Sequence, residues 1–467
     1  MDLQLSRGIA VVDAGKTNTK IVLFGPDGRP VAERKVASLN HEGPPYRTID
    51  PAPLIKLCQT ALPELDAILP IDIVVPCAHG AALACLTKDG SLALPVMDYT
   101  SEPPPEIIAS YRRIEPPFEE VFGPLLPMAL THGLQLYWQQ QAFAHDFARI
   151  KTIVPWIQYV AFCLSGNLVT EISSMSCQSQ LMDIQKGKLS SLVYALGWDQ
   201  FFPPLTKAWT TIGTLRREFM DPNFRGEGKV LAGVHDSNAN YLRYLAGGQK
   251  KFTLLSTGTW IIGFDTDAKL SSLIQEKDTV SNTDVFGNQV ASCRFFGGRE
   301  FEVLGEGAPG EAATTAAVQR IVDQKTFALP SFTDGGGPVP HSGGKGKVIG
   351  EKPISTEQRA SLASLYCALM VSESLAALGS RHDIIVDGPF SKNRVFLQIL
   401  AQLRAGQKVL ASDLRDGTTA GAACLALMPD GILPHVPLSL TTIASQNLSN
   451  LGEYQAKWQK LAYANTV

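Results

Sequence analysis

The sequence of 467 residues has no excess of charge of either sign, no cysteine pairs at metal or redox spacing, and no obvious long apolar run. Lys plus Arg number 41 and Asp plus Glu 44. The net charge of −3 therefore gives no electrostatic reason to expect a nucleic acid or a membrane as partner. Eight cysteines, Cys58, Cys77, Cys85, Cys163, Cys177, Cys293, Cys367 and Cys424, lie mostly in apolar contexts and none forms a Cys-x-x-Cys pair. They read as buried, reduced thiols of a cytoplasmic protein. The stretch Met1 to Arg7 carries Asp2, and only a short apolar run follows before Asp13, unlike a secretory signal. No segment reads as long and apolar enough to span a bilayer. What remains is 45% hydrophobic and 18% charged, a globular composition for which small-molecule chemistry is the expectation. A chain of this length makes about two domains, each able to bury its own core.

The most informative stretch is Ile9 to Phe24. Two apolar runs, Ile9 to Val12 and Ile21 to Phe24, flank the polar segment Asp13 to Lys20 and read as strand, loop and strand. Gly15 lets the backbone approach a ligand, and Lys16, Thr17, Asn18, Thr19 and Lys20 offer donors suited to phosphate oxygens. Asp13 would repel bare phosphate, so its natural task is to hold a hydrated divalent cation beside it. Gly15-Lys16-Thr17 also evokes the phosphate loop that opens a helix, but Ala10 stands where the first glycine of that motif belongs. The chain then continues through Ile21 to Phe24 into the turn Gly25-Pro26-Asp27-Gly28 and the extended run Val31 to Val36. The loop therefore belongs to a hairpin, and an ordinary hairpin with a polar tip is the plain alternative.

Further along, Pro51 to Leu69 has helical spacing, and Ile71 to Pro76 reads as a buried strand ending at Cys77-Ala78-His79-Gly80-Ala81. Small polar residues at the end of a core strand are where α/β sheets place ligands, so His79 is a candidate polyol contact or a structural histidine. Leu92 to Tyr99 reads as extended. Trp138 and Gln139 to Gln141 read as a helix surface. Val230 to Val234 delivers His235-Asp236-Ser237-Asn238 into a polar loop, where Asp236 suits a general base or a helix cap. The opening pattern then returns, Phe252 to Leu255 leading into Ser256-Thr257-Gly258-Thr259 and back out through Trp260 to Phe264. The spacing of two such hairpins by about one domain length favours duplication. A glycine-rich loop over residues 328–347 reads as a mobile cover. Thr356 to Ser380 reads as a long helix that feeds the strand Ile384 to Val386, and Asp387-Gly388-Pro389-Phe390-Ser391-Lys392-Asn393 follows.

A helix ending in Leu164-Ser165-Gly166, the pair Thr170-Glu171, a serine-rich loop, Met182-Asp183-Ile184, Leu196-Gly197 and Phe202-Pro203-Pro204-Leu205 resemble, in that order, the first domain of the FGGY carbohydrate kinases. The resemblance covers nearly the whole chain. It implies an α/β fold of two ribonuclease H-like (actin-like ATPase) domains with a cleft between them, residues 1–246 and 247–467. It further implies ATP and Mg2+, with Asp13 on the metal, and Gly15, Lys16, Thr17, Asn18, Lys20, Gly258 and Thr259 on the phosphates. Gly388 and Asn393 would lie against adenosine, although Pro389-Phe390 replaces the family's usual glycines. The small-residue helix after Asp416 would pack close under the nucleotide. Asp236 would be the catalytic base, with His79, Gly80 and Asn238 beside the sugar. Cys77-Ala78-His79-Gly80 looks like the Met-His-Gly segment of ketose kinases and tilts the substrate toward a ketopentose or 6-deoxyketohexose, of xylulose, ribulose, rhamnulose or fuculose type. An actin-like ATP-binding clamp and a phosphohydrolase are the competing readings. The partner is a small sugar, and the sequence leaves a homodimer open.

Overall fold

A computed structural model of the chain describes residues 7–414 and 416–465. Two seven-stranded sheets carry it. In the first, the order is Thr211–Thr214, Lys229–Leu231, Ile71–Ala78, Gly8–Ala14, Asn18–Phe24 and Pro30–Ala37, with Val234–His235 also paired to Ile71–Ala78. In the second it is Thr279–Thr283, Gln289–Phe295, Ile261–Asp265, Phe252–Thr257, Asp383–Asp387, Val409–Ser412 and Leu440–Thr442.

Each sheet is built around the same unit. The strand Gly8–Ala14 pairs antiparallel with Asn18–Phe24 and parallel with Ile71–Ala78, whereas Phe252–Thr257 pairs antiparallel with Ile261–Asp265 and parallel with Asp383–Asp387. The central parallel strands are covered on both faces, which explains why they read as continuous apolar runs instead of alternating ones. Register then fixes chemistry. Asp13 lies level with Cys77, and Ser256 level with Asp387, so each hairpin tip meets the end of its parallel neighbour, at His79-Gly80 in one sheet and Gly388 in the other.

The chain divides into two compact units. The first is Met1–Gly248 with Asn282–Gln289 and Gly417–Val436; the second is Gln249–Ser281, Val290–Asp416 and Pro437–Val467. Against a single cut after residue 246, two later segments thus return to the first unit. Packing accounts for both. Val285 is buried in one core cluster with Ala239 and Leu242, and a Cβ on Gly421 would come within 1.8 Å of the Ala239 carbonyl oxygen. The helix Gly417–Ala426 therefore packs on the helix Asp236–Ala246, where only a residue without a side chain fits. Of the two uses such a helix has, packing under a nucleotide or packing against protein, the observed contacts are of the second kind.

In the second unit the helix Thr356–Leu378 starts at a capping box, Ser355 with Gln358, and stops at Gly379, whose φ is 77°. This helix corrects one expectation. It is long and apolar enough to cross a membrane by composition, with a mean hydropathy of 1.5 over its most apolar window, yet 83% of that window is buried in the protein core. Continuous burial, not lipid, explains its apolarity. Segment 328–347 also differs from the mobile cover read from its glycines. Buried Glu300 accepts hydrogen bonds from Phe332 N, Thr333 N, Thr333 Oγ1 and Tyr366 OH, and Ser331 pairs with Ser342, which pins the loop to the core.

Candidate active site

The first hairpin presents Gly15-Lys16-Thr17 at its tip. Ser38 braces that tip from the neighbouring strand end, its hydroxyl donating to the Gly15 carbonyl at 2.9 Å and its amide to the Thr17 carbonyl at 3.0 Å. Thr17 and Asn18 are exposed. Lys20 sits opposite Asp13 in the ladder, with its ammonium 3.5 Å from the carboxylate. Lys16 turns away from the tip. Its ammonium pairs with the buried carboxylate of Asp98 and lies 4.7 Å from the centre of the Tyr99 ring. Burial works against the charged form of Asp98, but Lys16 and the Thr100 amide outweigh it and hold the carboxyl below the usual range.

Beside Tyr99, at 5.8 Å between ring centres, stands His79 at the end of the strand Ile71–Ala78. It is nearly fully buried, and burial drives its pKa down to about 4, with Lys16 and His235 adding to the fall and Asp236 and Asp98 opposing it. His79 is thus a neutral imidazole, and its Nδ1 has no hydrogen-bond partner among the described residues. A buried polar atom without a partner is costly unless a ligand or water completes it.

Asp236 opens the helix Asp236–Ala246, where a carboxylate is favoured by the helix dipole. Three contacts converge on one of its oxygens: Oδ1 lies 3.0 Å from His235 Nε2, 2.5 Å from Ser237 N and 3.1 Å from Ser237 Oγ. No bond among the described residues goes to Oδ2, and the side chain is 33% exposed. Burial raises the Asp236 pKa, but the His235 charge and hydrogen bond outweigh that and hold it below the ordinary aspartate value. Asn238, expected beside the sugar, is buried with both ends of its amide engaged, Oδ1 at 2.7 Å from His235 Nδ1 and Nδ2 donating to Thr283 O at 2.7 Å. It serves the histidine instead.

In the second unit, Gly258, Gly298, Phe301, Pro309, Phe390 and Asn393 are among the residues that line a cavity of about 290 Å3. Phe301 and Phe390 form an edge-to-face pair at 5.7 Å there. Thr259 is exposed at the hairpin tip. Gly388 bends the chain into this cavity with φ of 85°, and a Cβ on it would come within 2.0 Å of the Thr257 carbonyl oxygen. The Phe390 amide donates to Thr257 Oγ1 at 3.1 Å, so Pro389-Phe390 is fastened to the hairpin. Asn393 caps the helix Arg394–Leu403 through Phe396 N and donates to Ser364 Oγ, while its face still lines the cavity. Gly258, Gly388 and Asn393 are therefore brought together in one place.

Residues 249–434 match the family described as carbohydrate kinase FGGY, C-terminal domain. Over 99% of this chain and 100% of the other, the fold superposes on a carbohydrate kinase from Novosphingobium aromaticivorans, with a TM-score of 0.85 and 33% sequence identity. The chain belongs to the FGGY family of carbohydrate kinases. A second likeness is partial: 127 residues, 27% of this chain, are 28% identical to rhamnulokinase of Bacillus subtilis (strain 168), so the chain spans about a quarter, 26%, of that relative's length. The fold alone is shared with a ligand-bound xylulose kinase from Lactobacillus acidophilus, at 15% identity and a TM-score of 0.76 over 98% of this chain and 97% of the other.

Three features of this FGGY kinase escaped the sequence reading. Asp98 and Tyr99 close the segment Leu92 to Tyr99, which makes only isolated bridges at Leu92 and Met97 and forms no strand. A carboxylate at the end of an extended run, as at Asp13, was the available signal. His235 precedes the base candidate and was read only as its neighbour. Phe301, in the helix Gly297–Gly305, carries no local sign that it faces a cavity.

Proposed function

We propose that this FGGY kinase transfers the γ-phosphoryl group of ATP to a hydroxyl of a small ketose, with Asp236 as the general base. The observation that carries this reading is the asymmetry of Asp236: Oδ1 is committed to three donors while Oδ2 is left to face a hydroxyl. As the sugar oxygen forms its bond to the γ-phosphorus, its proton passes to Oδ2, and the bond to the bridging oxygen of ADP breaks. A base of low pKa suits a loose transfer in which the proton moves late. His79, neutral and with Nδ1 unpartnered, is the residue to accept or donate a hydrogen bond to another sugar hydroxyl, and the adjoining Gly80 backbone lies close to the same oxygen-rich ligand.

The nucleotide would lie in the second unit, its adenosine in the cavity lined by Phe301, Phe390 and Asn393, its phosphates along Gly258 and Thr259. Gly15, Lys16, Thr17, Asn18 and Lys20 would supply donors from the first hairpin. No cluster of three or more His, Cys, Asp or Glu side chains arranged to hold a metal exists among the described residues. That fits Mg2+, which is commonly held through one or two carboxylates, with water and substrate phosphates completing its shell. Asp13 at the strand end would be that carboxylate, with Lys20 beside it. When bound, the ion would neutralise charge on the phosphates; alignment and water exclusion fall to the protein.

The partial likeness to rhamnulokinase supports a 6-deoxyketohexose, and a ketopentose of xylulose type is the neighbouring choice. A panel of ketoses and polyols, scored by ADP release with and without each sugar, tests the proposal. Release that depends on one ketose supports it, and release without any sugar would make the protein a phosphohydrolase. Asp236→Ala should abolish the sugar-dependent release while leaving ATP binding largely intact, and retained turnover would remove Asp236 from this role.

A further inference from the structure

The hydrogen bonds around His235 leave little freedom in where its protons sit. A carbonyl oxygen accepts and never donates, so Thr283 O, 2.7 Å from Asn238, takes a hydrogen from Nδ2 and fixes which way that amide points. Asn238 Oδ1 is then the atom 2.7 Å from His235 Nδ1, and because an amide oxygen also only accepts, Nδ1 carries a proton. On the other side of the ring, Nε2 lies 3.0 Å from Asp236 Oδ1, which already takes two hydrogens from Ser237. Two lone pairs cannot face each other at that distance without a proton between them. Asn238 and His235 are 1% and 7% exposed, so solvent offers neither an easy alternative.

The groups around this pair are otherwise uncharged or bound up. His79 and His132 are neutral, burial taking their pKa values to about 4 and about 3. Burial pushes the Cys177 thiol and the Tyr99 hydroxyl up, the latter to about 12, so both keep their protons. Glu171 spends its carboxylate on the amides and hydroxyls of Ser173 and Ser174. The nearest group that can stabilise a proton on Nε2 is Asp236.

We propose that His235, protonated on both ring nitrogens and aimed by Asn238 and Thr283, is the positioning residue that holds Asp236 as a carboxylate with Oδ2 turned to the substrate. Burial disfavours the imidazolium, but Asp236 and Asn238 outweigh it and raise the His235 pKa. Thr283 gives the arrangement an unusual source. It is the last residue of the strand Thr279–Thr283 of the second sheet, and it falls in the segment Asn282–Gln289 that packs in the first unit. The residue that sets the tautomer beside the base is thus supplied by the other sheet's hairpin. The inference rests on the reading of Asp236 as base, and it adds a charge state and an anchor that this reading does not require.

The first test needs no substrate. In the free protein labelled with 15N-histidine, His235→Gln assigns one of the eight imidazoles, and that signal should show both ring nitrogens protonated at pH 7 and above. An Nε2 without a proton in the folded parent overturns the proposal. The second test is kinetic, with D-xylulose and L-rhamnulose as probes at saturating ATP and Mg2+. Loss of the adjacent cation raises the Asp236 pKa, so in His235→Gln the acid limb of kcat/KM should move up by about one pH unit or more. A fall in kcat of about 10- to 100-fold should accompany it, with the KM for ATP unchanged. Asn238→Leu should move the limb in the same direction by less. Profiles that superimpose on the parent's would overturn the proposal even if kcat falls, because a purely structural role lowers the rate without moving the limb. Failure of the underlying reading looks different: the Asp236→Ala variant would still turn over sugar.

Discussion

The ammonium of Lys16 rests on the carboxylate of Asp98 and lies over the Tyr99 ring. A lysine at a phosphate-type hairpin tip is thus held by a protein anion, and any phosphate that recruits it must displace Asp98. The pair is asymmetric: Asp98 has no exposed side-chain surface, whereas Lys16 keeps about a quarter of its own. Removing the cation therefore costs more than removing the anion.

Lys16→Met should destabilise the first unit by about 3 kcal/mol at neutral pH, because it strands a buried carboxylate. Asp98 has its pKa held down in the folded protein, so the parent's gain from the pair is present above the ordinary aspartate range and lost as the pH falls through it. Without Lys16 burial is opposed only by the Thr100 amide and hydroxyl, so the carboxylate is held less firmly and acid relieves the variant. Urea unfolding at pH 7 and pH 4.5 should show the gap between the two proteins narrowing in acid; a constant gap would argue against the pair as its source.

Asp13→Asn should weaken the response to magnesium. At fixed ATP, the Mg2+ concentration giving half-maximal sugar-dependent ADP release should rise by about tenfold, the effect of losing roughly 1.4 kcal/mol of metal binding. A titration that overlays the parent's would argue against metal placement at this strand end.

Gly388→Ala places a methyl group where the Thr257 carbonyl oxygen stands and forces a residue with a side chain to hold φ of 85°. Calorimetry with ADP should show affinity reduced at least tenfold, with a stability loss of about 1–3 kcal/mol from strain. Unchanged ADP binding would argue against the cavity beside this turn as the nucleotide site.

Glu300→Gln replaces two acceptor sites of a buried carboxylate with an amide that donates. Whichever way the amide points, one backbone N–H, of Phe332 or of Thr333, faces another donor, and the hydroxyl beside it, of Tyr366 or of Thr333, must turn to accept. Hydrogen exchange in residues 330–346 should quicken, and stability should fall by about 2–4 kcal/mol. Exchange confined to its parent rate would show that the loop is held by other contacts.

Much of this was legible because the informative parts are local. Hairpins, cap residues and buried strands carry their own signals in period and turn chemistry, so the tips at Gly15 to Thr17 and at Gly258-Thr259 are legible in the chain alone, whereas Gly388 is singled out only by the family resemblance. What escaped reading is joined by topology. Asp98 reaches Lys16 across 82 positions, and Thr283 reaches Asn238 across 45, with no local pattern to announce either meeting. The helix His132–Ala142 misled for another reason. Gln141 is exposed as a surface residue should be, but Gln139 is buried and donates to Tyr46 OH at 2.7 Å, and Trp138 is buried too, so one end of the polar run faces inward. Hydrophobic periodicity cannot report a buried face that is polar and satisfied. The segment over residues 328–347 failed similarly, since its glycines mark tight turns against Phe296 and Asp278 where looseness was inferred.

The return of residues 417–436 to the first unit has a consequence for synthesis. A ribosome making this chain releases all of the amino-terminal sheet about 10 to 35 seconds before the helix Gly417–Ala426 appears. Until then the helix that begins with Asp236 shows an apolar flank to solvent or to a chaperone. Translation pauses between residues 290 and 416 should therefore leave an aggregation-prone first unit, and a peptide spanning 417–436 supplied in trans is the piece to cover its flank.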